Sequence, residues 1–237
     1  MSLQFIMGNS GSGKSYCLYD TVVREAIENP DKNYLVIVPE QFTMQTQKDL
    51  CLAHPKGGIM NIDVLSFGRL AYRVFEEVGQ DARVVLDDEG KNLVLRKIAG
   101  ECEKDLKVFK GNLKKQGYIS EVKSVLSEFA QYGVDFERLD DFMKEVPPES
   151  YLHYKLDDIR TIYEKFEEYL SEKYITKEEM LDVLSDAVPY SDILKGSVVA
   201  MDGFTGFTPV QNRLIGELFS VCEKVMITVT MDGRENP

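Results

Sequence analysis

Through its first third the chain alternates short, wholly apolar runs with longer amphipathic stretches. Leu3–Met7 is a run of the kind buried in a parallel sheet. A helical pattern follows from about Lys14 to Glu28, with Leu18, Val22 and Ala26 on one face, and Asn29-Pro30-Asp31 stops it. Tyr34–Val38 is a second strand, ended by Pro39, and a polar helix runs from about Phe42 to Ala53. His54-Pro55-Lys56-Gly57-Gly58 reads as a loop, Ile59–Leu65 as a third strand and Phe67–Val78 as a third helix. Strands alternating with helices in this way predict a parallel sheet wound by helices.

From about Leu86 to Leu194 only helical periodicity remains, over Glu89–Cys102, Glu121–Tyr132, Phe136–Glu145, Tyr151–Tyr174 and Lys177–Val188. Thr176 and Glu179 have the spacing of a capping box at the start of the last of these. Gly133, Pro147-Pro148 and Pro189 mark breaks. Strand chemistry returns at Ser197–Met201, then a helix over roughly Pro209–Cys222, then a strand over Val225–Thr230. A three-stranded sheet would leave an edge bare, so the C-terminal strands are expected to rejoin the N-terminal ones. The pattern therefore predicts one α/β domain, residues 1–85 with 195–237, interrupted by an all-helical insertion over 86–194.

The first candidate chemistry lies between the first strand and the first helix. Gly8-Asn9-Ser10-Gly11-Ser12-Gly13-Lys14-Ser15 is a complete G-x-x-x-x-G-K-[ST] phosphate loop in strand–loop–helix context. Glycines let backbone N–H groups turn toward a polyphosphate, and the helix N-terminus adds partial positive charge. Lys14 would reach the β- and γ-phosphates, and the Ser15 hydroxyl would ligate Mg²⁺. The expected cofactors are ATP and Mg²⁺. P-loop proteins pair this loop with an acid at the end of a neighbouring parallel strand, and Asp202, after Val198–Met201, is the candidate.

Composition narrows the setting. The 237 residues are 43% apolar and 29% charged, enough for a core and a solvated surface. No apolar run is long enough to span a bilayer, and the first one leads straight into the glycine-rich loop rather than into a cleavage site. Cys17, Cys51, Cys102 and Cys222 form no C-x-x-C pair, and His54 and His153 have no ligand-like neighbours. A cytoplasmic protein without zinc, disulfides or an iron–sulfur cluster in this stretch is expected. A net charge of −12 speaks against a generic nucleic-acid binder. Lys104, Lys107, Lys110, Lys114 and Lys115 cluster, but Gly111 interrupts them, and a solvated face is the expectation.

The segment Met201-Asp202-Gly203-Phe204-Thr205-Gly206-Phe207-Thr208-Pro209-Val210-Gln211 resembles motif II of the UvrD-like superfamily-1 helicases. Their pattern is Asp-Glu-x-Gln-Asp, four residues, then Gln. Asp202 and Gln211 fall on its outer places, while Gly203 stands for the catalytic Glu, Thr205 for Gln and Gly206 for Asp. Val38–Thr43 and Asn61–Phe67 lie where those helicases carry DNA-contacting segments. With Leu-Ser-Phe-Gly-Arg-Leu at 65–70, the set looks most like the N-terminal region of the AddB family, whose members belong to bacterial ATP-dependent helicase/deoxyribonucleases.

That resemblance implies a RecA-like P-loop core that binds ATP through Gly8–Ser15, Asp202 and Gln211, with Mg²⁺ at Ser15 and Asp202. It implies single-stranded DNA contacts at Thr43, Ser66 and Arg69, and an AddA-type helicase/nuclease partner. The role implied is DNA end processing in double-strand-break repair and recombination. The family's nuclease region and iron–sulfur cluster belong to a longer chain. Gly203 cannot act as a base, so slow hydrolysis is expected. A P-loop kinase of a small metabolite, or a scaffold with a vestigial loop, is the alternative reading.

Overall fold

The computed structural model describes residues 2–79, 83–113, 115–171 and 173–231. The chain divides into two compact units, residues 1–81 with 181–237, and residues 82–180.

The first unit is built on a five-stranded parallel sheet. Its strands are β1 (Ser2–Gly8), β2 (Tyr34–Ile37), β3 (Ile62–Leu65), β6 (Val198–Met201) and β7 (Lys224–Thr230), in the order β1-β7-β6-β2-β3. The C-terminal strands therefore do more than rejoin the sheet. They occupy its middle, with Phe5 paired to Ile227, Ala200 to Met226 and Val36 to Ala200. All of β2 and β6 is buried, as a central parallel strand requires.

Two directions of winding put helices on both faces. The connections through α1 (Lys14–Glu28) and α2 (Thr43–Ala53) advance from β1 to β2 to β3. The connection through α9 (Pro209–Val221) runs from β6 toward β1. Right-handed crossovers then place α9 opposite α1 and α2. The core agrees: Leu18, Val22 and Leu50 pack on Tyr34, Val36, Val198, Ala200 and Met226. The alternate positions Leu35, Ile37, Val199, Met201 and Val225, also buried, point the other way, toward α9 and α3 (Phe67–Val78).

One reading of the apolar pattern is corrected here. Leu3–Met7 forms a strand, but not a buried one: Leu3, Phe5 and Met7 are 47%, 50% and 62% exposed. β1 is an edge strand, so its apolar content is a property of the sheet's rim rather than of its centre. A groove of about 750 Å³, lined by Phe5, Phe207, Ile215, Phe219 and Ile227 among others, opens on the same region.

The second unit is mostly helical, with α4 (Asp88–Glu101), α5 (Gln116–Tyr132), α6 (Phe136–Glu145) and α7 (Tyr151–Leu170). Leu95, Ile98, Ile119, Leu126, Ile162 and Phe166 form its core. It is not all-helical. β4 (Val84–Leu86) and β5 (Tyr174–Thr176) pair in parallel with each other, so Tyr174 begins a strand rather than ending α7. Both are runs of β-branched, aromatic or aliphatic residues, and at three residues each they are too short to show a period.

Two polar anchors hold this unit together. Asp158, buried on α7, accepts N–H bonds from Lys107, Val108 and Phe109 at 2.7–2.8 Å. Lys91, buried on α4, donates to Glu178 at 2.6 Å and to Ser127 at 3.1 Å. The Thr176–Glu179 capping box forms at the start of α8 (Glu179–Ala187), with Thr176 N–H donating to Glu179 at 2.8 Å.

Candidate nucleotide site at the carboxyl ends of the sheet

In a doubly wound sheet, a crevice opens at the carboxyl ends of strands whose following helices go to opposite faces. Here β1 leads to α1 and β6 leads to α9, so the loops after Gly8 and after Met201 part from each other.

The loop after β1 depends on its glycines. Gly11 and Gly13 have φ of +74° and +85°, a region that side chains disfavour. A Cβ on Gly8 would lie 2.5 Å from Ser12 Oγ. Gly13 also occupies the N-cap of α1 and supplies no side-chain acceptor, so the first amides of that helix lack the usual cap. No acidic residue sits in the first turn of α1. Such a terminus favours an anion. Asn9, Ser10, Gly11, Ser12, Gly13 and Ser15 are exposed, and the Lys14 ammonium folds back to the Asn9 carbonyl at 2.8 Å.

Asp202 ends β6, and its backbone N–H donates to Ile37 O at 3.1 Å. The carboxylate is 6% exposed. One oxygen accepts from the Tyr19 hydroxyl at 2.7 Å, the other from the Thr228 hydroxyl at 2.6 Å. Neither donor carries charge, so neither neutralises the carboxylate. Tyr19 also meets the Thr46 hydroxyl at 3.3 Å. Burial above all pushes the Tyr19 hydroxyl well above its ordinary pKa, with Asp202 adding to the effect.

Gly203 turns the chain at φ +78°. Beyond it Phe204 packs on Phe67 and Phe207, with ring centroids 5.3 and 5.1 Å apart. Gln211 serves the helix that follows. Its side-chain oxygen accepts from Thr208 N–H at 3.0 Å, and Thr208 returns the bond at 3.3 Å, a capping box with Pro209 at the first helical position.

The three residues aligned with DNA-contacting segments gather around Glu40. Thr43 is buried and donates to the Glu40 carbonyl at 3.0 Å. Ser66 donates to the Glu40 carboxylate and caps α3 by accepting from Arg69 N–H at 3.3 Å. Arg69 pairs with the same carboxylate at 3.2 Å. Nearby, the Asn61 amide donates to the carbonyls of Ala26, Asn29 and Lys32, tying off the end of α1. In the lysine cluster, Lys107 pairs with Asp157 at 2.9 Å, and Lys114 lies outside the described residues.

Among the described residues no group of three or more His, Cys, Asp or Glu could hold a metal by itself. The cysteines are free, and no described helix is long and apolar enough to cross a membrane. The donor set fits a magnesium ion that arrives with its own ligands. Mg²⁺ keeps several waters and takes one or two protein oxygens beside substrate phosphates. Ser15 and Asp202 are oxygen donors of that kind.

Tyr19, Thr46, Thr228 and Glu40 were not singled out from the sequence. Two of them carried a signal. Tyr19 follows Ser15 by one helical turn, and Thr228 is a hydroxyl inside the apolar run Val225–Val229, where a buried polar group needs a partner.

Over residues 5–237 the chain matches the family described as ADDB, N-terminal. It is 48% identical to the AddB protein of the ATP-dependent helicase/deoxyribonuclease of Lachnoclostridium phytofermentans, across 98% of this chain and 20% of that protein. The corresponding proteins from Clostridium kluyveri and Alkaliphilus metalliredigens are 39% and 35% identical over the same shares. The chain thus spans a fifth of the length of these curated relatives. It belongs to the family of the N-terminal region of AddB.

Proposed function

We propose that the chain is the ATP-binding, helicase-like region of the AddB component of an ATP-dependent helicase/deoxyribonuclease. The observation that carries this reading is the glycine-rich loop. Its helix terminus lacks a side-chain cap, and the helix it opens touches Asp202 through Tyr19, one turn beyond Ser15.

In this reading the loop amides and Lys14 hold the phosphates of ATP, with Ser15 and Asp202 beside a magnesium ion that offsets phosphate charge. Lys14 moves from the Asn9 carbonyl to the phosphates. Asp202 orients water in the metal shell. Gln211 holds the loop after β6 in place through its cap. Hydrolysis is slow, because Gly203 offers no carboxylate to polarise a water.

The chain would work with an AddA-type helicase/nuclease partner on DNA ends, mainly single-stranded, in cytoplasmic double-strand-break repair and recombination. Thr43, Ser66 and Arg69 would meet the strand only after exchanging their contacts to Glu40. Binding is tested by thermal shift. At a hundredfold excess of Mg-ATP over Kd the gain is about 2.7 kcal/mol, or roughly 5–10 °C for a chain of this size. Lys14→Ala removes the shift. No shift with millimolar ATP or GTP overturns the reading, and phosphate transfer to a small acceptor replaces it with a kinase.

A further inference from the structure

The hydrogen bonds on Asp202 have a direction. The Tyr19 hydroxyl spends its one proton on the carboxylate at 2.7 Å, so at 3.3 Å the Thr46 hydroxyl is the donor to the phenol oxygen. On the other side Thr228 donates at 2.6 Å. The carboxylate is gripped once on each oxygen, from α1 and from β7. Each oxygen keeps a further acceptor site, and the orientation of those sites is fixed by the two grips.

Tyr19 also has a geometric role. It follows Ser15 by four residues on α1, so the two side chains are neighbours on one helix surface, about 5–6 Å apart at Cβ. Ser15 and Asp202 come from opposite ends of the sequence, yet they must share one metal shell. The Tyr19 hydroxyl ties the acid to the same rigid helix that carries the serine. Any residue could cover the core at this position, but the hydroxyl is needed for the tie.

We propose that Tyr19 is a positioning residue for magnesium, holding Asp202 in the orientation in which it meets the hydrated ion brought by the nucleotide at the glycine-rich loop. This rests on the nucleotide reading above. The tie acts on the metal and not on the phosphates, which the loop amides and Lys14 hold. It therefore governs the difference between metal-bound and metal-free nucleotide.

The test is calorimetric titration of the chain with a non-hydrolysable ATP analogue, in excess Mg²⁺ and in EDTA. Tyr19→Phe keeps the ring and its packing and removes only the hydroxyl. The expected result is a fall of about tenfold in affinity with Mg²⁺, the scale of one hydrogen bond to a charged group. Affinity in EDTA should stay within about twofold. Thr228→Val, which releases the other oxygen, should act in the same sense and keeps the test open if Tyr19→Phe fails to fold. Equal losses with and without Mg²⁺ in both variants would mean a purely structural role and would overturn the proposal. So would an unchanged preference for Mg²⁺. Absence of binding by the wild-type chain is a different result, and it removes the nucleotide reading itself together with this one.

Discussion

A Cβ placed on Gly203 would lie 3.4 Å from the ring of Phe42. The backbone there has φ +78°, so the position that follows the strand-end acid is held by a turn that disfavours side chains. In the helicases that this segment resembles, the same position carries a glutamate. Gly203→Glu should therefore not produce a motor. The expected cost is about 1–2 kcal/mol of backbone strain, seen as a fall of about 2–8 °C in Tm. Phosphate release should stay near background with and without single-stranded DNA. Robust DNA-stimulated release by the wild type would show that the water is activated elsewhere.

Asp158 offers a test in the helical unit. It alone accepts the three consecutive N–H groups of Lys107, Val108 and Phe109. Asp158→Ala should cost about 3 kcal/mol, since buried donors are left unsatisfied, and Asp158→Asn should cost less because one acceptor remains. Urea unfolding followed by circular dichroism measures both. Equal midpoints for wild type and Asp158→Ala would mean that water replaces the carboxylate without loss.

Stability of the same unit should depend on pH through Glu167. Burial, and then the neighbouring Glu179 carboxylate, pushes its pKa up to about 7. A raised carboxyl pKa means that the folded state binds the proton more tightly than the unfolded state. The associated stability is fully present below about 4.5, the ordinary value, and is lost as pH rises through about 7. Tm measured from pH 5 to pH 8 should fall more for the wild type than for Glu167→Gln. Parallel curves for the two proteins would count against the shift.

The exposed side chains of β1 lead to a prediction about association. Leu3, Phe5 and Met7 share one face of a strand with an unpaired edge, and no charge or proline protects it. The 237-residue chain should self-associate with rising concentration. Leu3→Lys with Phe5→Lys should suppress this without a change in circular dichroism, as read by sedimentation velocity. Identical behaviour of the two proteins would place any association elsewhere.

How much of this was legible depends on the range of each signal. The glycine-rich loop could be read because Gly8–Ser15 is contiguous and the physics of φ > 0 is local. The helices of the sheet unit could be read for the same reason, from their period and their stops. Edge and centre could not be told apart. Leu3-Gln4-Phe5-Ile6-Met7 and Lys224-Val225-Met226-Ile227 are both strand-like, and only the pairing order makes one exposed and the other buried. α5 begins at Gln116, five residues before the expected start, because the helix tolerates Gly117 in its first turn. The Glu40 contacts and the two grips on Asp202 join residues far apart in sequence, and no local pattern announces such pairs.

The position of β6 and β7 inside the sheet has a consequence for synthesis. As the chain leaves the ribosome, β1 emerges first, but its only neighbour, β7, is made about 220 residues later. At about 5–20 residues per second that is a delay of roughly 10–45 s. During it β2 can pair with β3, while β1 remains an apolar segment with nothing to zip against. The glycine-rich loop, although encoded within the first fifteen residues, then gains its supporting strand among the last events of folding.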